Sequence, residues 1–131
     1  MKYLLDTGVF IWSIGPKEKL NQEAHELLAN GSEEIYFSAA SSWEIAIKFA
    51  LGKLRLPEVP ERFVPQQMAI GQIRQLPITH YHALAVRKLP SHHNDPFDRI
   101  LIAQARAEEM ILLTADLMFS KYDVETIWCG K

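Results

Sequence analysis

Four carboxylates, Asp6, Glu44, Asp98 and Asp116, each stand beside an apolar segment that reads as a buried strand or an early helical turn. Brought together, they would repel one another and resist full ionisation. Divalent cations remove that conflict. An all-oxygen donor set suits Mg²⁺ or Mn²⁺, and Mg²⁺ usually keeps several of its waters. The chemistry expected of such a site is hydrolysis of a phosphodiester. One or two cations stabilise charge on the phosphate and activate a water for in-line attack, with no covalent intermediate on the protein. The chain has no Gly-x-Ser-x-Gly segment to supply a serine nucleophile.

The elements that must position these acids follow from hydrophobic pattern and turn chemistry. Lys2 to Leu5 is a short apolar strand ending at Asp6-Thr7-Gly8. Val9 to Ile14 is one or two helical turns stopped by Gly15-Pro16. Asn21 is expected to N-cap a helix through Ala29, with Gly31 just past its end. Ile35 to Ser38 is a second buried strand, and a helix from Ser41 runs to a stop at Gly52. Pro60 opens a helix to about Ile70, disturbed at Pro65. A weak third strand lies within Ile73 to Ile78, and Thr79 caps a helix through Lys88. Asp95 N-caps a strong helix opened by Pro96, and Ile111 to Thr114 and Val124 to Trp128 are the last strands.

Strands alternating with helices predict an α/β domain with a mostly parallel sheet, spanning 1–131 as one unit. In such a sheet, ligands bind at the edge where strands end and helices begin. Asp6 ends the first strand, Asp116 follows the fourth, and Glu44 and Asp98 open helices, so all four are expected at that edge.

Each acid also has a purely structural explanation. Ser41-Ser42-Trp43-Glu44 fits a capping box. Asp98 sits at the third position after the Asp95 cap, where negative charge suits the helix dipole. Asp6-Thr7-Gly8 and Thr114-Ala115-Asp116 are acceptable turns. Capping, however, does not require four segments to share one edge. Thr7 and Thr114 either orient water near the acids or satisfy backbone groups. Arg99 either contacts phosphate or forms an exposed salt bridge, the second being preferred. His92-His93, just before Asn94 and Asp95, resembles a metal cluster, but adjacent histidines rarely aim at one ion and a solvated loop is preferred; His80 and His82 read as surface or capping groups. Trp12, Trp43 and Trp128 read as core or interface rather than base-stacking residues.

Composition sets the outer bounds. Of 131 residues, 48% are hydrophobic and 23% charged, which is ordinary for a soluble globular domain. The single cysteine, Cys129, excludes an intrachain disulfide and a cysteine-based zinc site. The N-terminus lacks a signal-peptide pattern, and no apolar run approaches the roughly 20 residues that span a bilayer. A cytoplasmic protein that does not enter membranes is the resulting expectation. The formal charge of −2, from 16 acids against 14 bases, does not favour simple electrostatic binding of nucleic acid. Cations held by clustered acids would offset that locally.

Leu4-Leu5-Asp6-Thr7, Ser42-Trp43-Glu44-Ile45, the block from Asn94 through Asp98-Arg99 to Ala105, and Leu113-Thr114-Ala115-Asp116 together resemble the ordered motifs of PIN domains. The similarity is greatest to VapC-type toxins of bacterial toxin–antitoxin pairs and extends over residues 4–116. It implies a three-layer α/β/α fold around a parallel sheet and Mg²⁺- or Mn²⁺-dependent endoribonuclease activity on RNA. It implies that Asp6, Glu44, Asp98 and Asp116 are the metal-site acids, with Asp95 an additional acid of this branch and Thr114 a hydroxyl near the site. It implies a homodimer and a small cognate antitoxin. Trp12, Phe49 and Phe63 are candidates for such an interface, with core packing as the competing role.

Three other functions compete. A haloacid-dehalogenase-like phosphatase wants a second Asp two residues after its nucleophile, and here Gly8 follows Asp6 at that spacing. A non-catalytic binding or regulatory module would use the acids only as caps or around a structural cation. A 5′-nuclease-like DNA enzyme needs added elements for which 131 residues leave little room.

Overall fold

Residues 1–131 are described by a computed structural model. Five strands form the sheet: β1 Lys2–Leu5, β2 Glu34–Ser38, β3 Arg74–Leu76, β4 Ile111–Thr114 and β5 Thr126–Trp128. Six helices connect them: α1 Thr7–Ile14, α2 Gln22–Ala29, α3 Ala39–Ala50, α4 Pro60–Ile70, α5 His80–Ala85 and α6 Pro96–Glu108. Every strand pair is parallel, and the order across the sheet is β3-β2-β1-β4-β5. The order reverses between β1 and β4, so the crevice at the C-terminal ends of those two strands is the topological switch point.

The alternation of strand side chains divides the core in two. Tyr3, Leu5, Ile35, Phe37, Ile111 and Leu113 face one side, packing with Phe10 of α1, Ala24 of α2, Ile45 of α3 and Val64 of α4. Leu4 and Leu112 face the other, packing with Leu76, Leu101 and Ile102 of α6, and Phe119. Helices therefore cover both faces, giving the three-layer α/β/α arrangement expected from the sequence. Near-continuous apolar strands are what a sheet buried on both sides requires.

Local caps agree with the sequence at most helix starts. Asn21 Oδ1 accepts from the Ala24 N–H (2.9 Å), and Asp95 Oδ1 accepts from the Phe97 N–H (2.9 Å). The differences are instructive. Helix α3 begins at Ala39, capped by the Ser38 side chain, two residues before the expected Ser41. Small Ala39 and Ala40 are good helix formers, and β2 runs into the helix with no intervening turn. Gly31 does not take the left-handed end position expected of it, because α2 closes in extended backbone at Asn30. Gly52 does adopt positive φ (73°) where α3 stops. The helix after Thr79 ends at Ala85 and tightens to a 3-10 turn at Val86–Lys88. Phe63, an interface candidate, is buried and cannot face a partner, whereas Trp12 is half-buried against the core. Trp43 and Trp128 remain largely exposed, Trp43 with its edge against Phe97. No helix is long and apolar enough to cross a membrane.

Candidate active site

The switch point is built from β1 and β4 directly. The Asp6 N–H extends the sheet by donating to the Leu113 carbonyl (3.0 Å). Asp6 then ends the strand and caps α1, its Oδ1 accepting from the Val9 N–H (2.7 Å). Its other oxygen accepts from the Thr114 hydroxyl at the end of β4. Thr114 Oγ1 in turn accepts from the Asp116 N–H (3.0 Å), which places Asp116 one step beyond the strand. Asp116 starts the 3-10 turn Leu117–Lys121 by accepting from the Met118 N–H (2.9 Å).

Glu44 reaches the same edge from the second turn of α3. The Thr7 hydroxyl donates to Glu44 Oε1 (2.7 Å) and lies 2.9 Å from Ser41 Oγ. With α3 starting at Ala39, the capping box read into Ser41 to Glu44 does not form. Glu44 is only 5% exposed and turned inward. Its Oε2 accepts from Lys48 Nζ (2.6 Å), one helical turn on. Asp98 occupies the third position of α6, its N–H 3.4 Å from the Asp95 cap, and its side chain also turns to the cluster.

These residues line one pocket of about 260 Å³. Five acids, Asp6, Glu44, Asp95, Asp98 and Asp116, face a single lysine, Lys48. The electrostatic result is direct. Burial pushes the Asp6 carboxyl up to about 6, against the opposing hydrogen bonds from Thr114 and Val9. Burial first, then the charges of Asp95, Glu44, Asp6 and Asp116, push Asp98 up to about 8. Lys48 is raised, chiefly by its hydrogen bond to Glu44. An added cation would relieve the charge conflict in such a site. Its hard oxygen donors fit a divalent metal ion that prefers oxygen.

Of the auxiliary candidates, Thr7 and Thr114 lie in the cluster and orient Glu44 and Asp6. Asp95 lines the pocket but uses Oδ1 as the cap of α6. Arg99 does not form the exposed salt bridge expected of it. Its guanidinium turns to the segment before α6 and donates to the carbonyls of Pro90 (2.8 Å), Val86 (3.1 Å) and Leu89 (3.3 Å). The Val86 carbonyl also accepts from the Leu89 N–H (3.1 Å), and the Arg99 fork ties it to the carbonyls of Leu89 and Pro90.

Two residues at the site were not foreseen. Lys48 had a usable signal, the i,i+4 spacing from Glu44. His93 reads from the sequence as part of a solvated loop, yet its Nε2 lies 2.9 Å from Asp98 Oδ2 and 3.3 Å from Asp116 Oδ2. His92 instead lies outside, edge-on to Tyr122.

Residues 3–125 match the family described as the PIN domain. The chain belongs to the PIN domain family. Over 60 residues it is 38% identical to Ribonuclease VapC16 of Mycobacterium tuberculosis, a match covering 46% of this chain and 43% of that relative. The fold is shared with solved structures of low sequence identity. The VapBC2 structure from Rickettsia felis, bound to a DNA fragment from their promoter, superposes with a TM-score of 0.74 at 16% identity, covering 99% of this chain and 100% of that one. DNA-bound VapBC from Salmonella typhimurium gives 0.67 at 19% identity over 97% of both chains. A toxin–antitoxin complex from Klebsiella pneumoniae gives 0.56 at 18% identity, covering 87% and 86%.

Proposed function

We propose that this PIN domain is an endoribonuclease dependent on Mg²⁺ or Mn²⁺ and the toxin of a toxin–antitoxin pair. The observation that carries the reading is the pocket at the switch point, where five acids face one lysine and Asp98 is pushed up to about 8. Asp6, Glu44, Asp98 and Asp116 would hold the metal, which supplies a positive charge for the phosphate and an activated water. The chain's own contribution is orientation. Thr114 fixes the Asp6 carboxylate across the β1–β4 crevice, and Thr7 fixes Glu44 from the first residue of α1. Lys48, half-exposed beside Glu44, places a cation where an RNA phosphate would approach.

The relative named as a ribonuclease supports RNA as the substrate. The structural neighbours described as VapBC and toxin–antitoxin complexes support a cognate antitoxin as partner. An apolar groove between α3 and α4, lined by Val64, Met68 and Ile73 with exposed Trp43 at its side, offers a protein partner a surface. A second copy of the chain is the other proposed partner.

The test is incubation of the purified, antitoxin-free protein with total cellular RNA in Mg²⁺, Mn²⁺ or EDTA, beside Asp98→Asn. Discrete fragments that need metal and vanish in the variant are expected. No cleavage under any condition, with no metal binding by calorimetry, would return the four acids to a structural role.

A further inference from the structure

The segment before α6 is held by unusually many contacts for a connection. The His93 N–H donates to the Tyr122 hydroxyl (2.7 Å), and its carbonyl accepts from Arg99 Nη1 (3.4 Å). The His93 ring lies with its edge toward Phe119, centroids 6.3 Å apart. These contacts aim the imidazole at the acidic pocket. One more decides what the ring presents there. The Asp95 N–H points at His93 Nδ1 (3.2 Å). A backbone N–H only donates, so Nδ1 must offer its lone pair. A neutral imidazole carries one proton, which therefore sits on Nε2. Nε2 faces Asp98 Oδ2 at 2.9 Å and Asp116 Oδ2 at 3.3 Å, both acceptors.

We infer that His93 is a positioning residue of the acidic centre: its Nε2–H holds Asp98 and Asp116 in register for the cation, and it is not itself a metal ligand. The inference rests on the nuclease reading above. Ligation through Nε2 would require the other tautomer, which would set Nδ1–H against the Asp95 N–H, donor against donor. The need for such a holder follows from topology. Asp98 belongs to α6 and Asp116 to the segment after β4, and no backbone hydrogen bond joins those two acids directly. The Asp116 side chain is 42% exposed, and only Oδ1 is fixed by its own turn. A shared donor between the two carboxylates removes rotamer freedom that metal binding would otherwise have to remove. The sequence from His93 to Arg99 thus works as one unit: Asp95 sets the tautomer and caps the helix, Asp98 enters the site, and Arg99 fixes the loop that carries the ring.

The experiment is Mn²⁺ titration by calorimetry on the antitoxin-free full chain, comparing wild type, His93→Ala, His93→Gln and Asp98→Asn. His93→Ala should bind Mn²⁺ about 10–100-fold more weakly, the usual loss when a residue orienting a ligand is removed. His93→Gln, whose amide N–H reaches the position of Nε2, should recover most of that loss. Echo-detected electron paramagnetic resonance of Mn²⁺-loaded wild type should show no directly bound nitrogen. If His93→Ala does not fold, the glutamine variant and the resonance spectrum still decide. Wild-type affinity in His93→Ala, with binding lost in Asp98→Asn, would overturn the positioning role alone. A bound-nitrogen coupling that disappears on substitution of His93 would overturn it in favour of ligation. Glutamine no better than alanine would remove the donor role. Absence of Mn²⁺ binding by wild type would overturn the metal-site reading and this inference with it.

Discussion

Two polar clusters lie along the same C-terminal edge of the sheet, one at the β1–β4 crevice and one beyond β2 and β3. The second comprises Ser38, Gln104, His82 and Glu108. Ser38 donates to Gln104 Oε1, and Gln104 Nε2 donates to the Pro77 carbonyl (3.2 Å). His82 takes the Thr79 N–H on Nδ1 (3.1 Å) and places Nε2 2.8 Å from Glu108. Three of its four side chains are buried, yet each group meets a complementary one, and the only carboxylate is partly solvated. The first cluster is the reverse: carboxylates face carboxylates, and burial holds two of them well above their usual range. Both clusters are buried and polar, so burial alone says nothing about function. What separates them is whether the chain supplies the complement. A satisfied network fastens α5 and α6 to the sheet, whereas an uncompensated one leaves a place for a partner from outside the chain.

The comparison is sharpest if one chemical change is made in both clusters. Asp98→Asn should lower RNA cleavage by ~10³-fold or more, since several kcal/mol of transition-state stabilisation is lost with the metal. Its fold should persist, with far-ultraviolet circular dichroism and a cooperative melt like wild type, because the amide relieves repulsion. Loss of helical signal instead would make Asp98 primarily a cap. A damaging change in the other cluster should do the opposite. Gln104→Leu leaves the buried Ser38 hydroxyl proton without its acceptor, and urea denaturation should show about 1–3 kcal/mol lost. Cleavage per folded molecule should stay near wild type.

A third difference is pH dependence. Acids with raised values in the folded state contribute stability that is complete at low pH and lost as pH rises through those values. For Asp6 and Asp98 the limits are about 6 and about 8, so in EDTA the melting temperature should fall from pH 5 to pH 8.5. Asp98→Asn should flatten the upper part of that fall, and Mn²⁺ should reverse it in wild type. A flat profile in EDTA would mean that the acids are not in conflict. The smallest effect is expected from Glu108→Gln, the same carboxylate-to-amide change in the satisfied cluster. Its amide oxygen still accepts from His82, and the exposed side of the pair limits the loss to less than about 1 kcal/mol.

Much of this was legible in the chain because it is local. Apolar runs defined β1, β2 and β4, Pro96 and Asp95 marked the start of α6, and alternating elements implied a parallel sheet with a ligand edge. The four acids were found from their positions at element ends, which one-dimensional pattern encodes. Ser41 misled because a capping pattern resembles any serine three residues before a glutamate, and only the observed start at Ala39 separates the two. The surroundings of Arg99 and His93 are hidden in the sequence for a different reason. The carbonyls that Arg99 binds depend on how the loop before α6 folds back on the helix, and the partners of His93, the Tyr122 hydroxyl and Asp116, depend on how the chain returns after β4. Residue types and spacing therefore determined which carboxylates are candidates and which edge they share. Tertiary structure alone decided that Thr7 rather than a helix end holds Glu44, that burial drives Asp98 up to about 8, and that the ring of His93 points inward. Charge repulsion, desolvation and hydrogen-bond direction act through distances in space, and those distances exist only once β1 and β4 lie side by side.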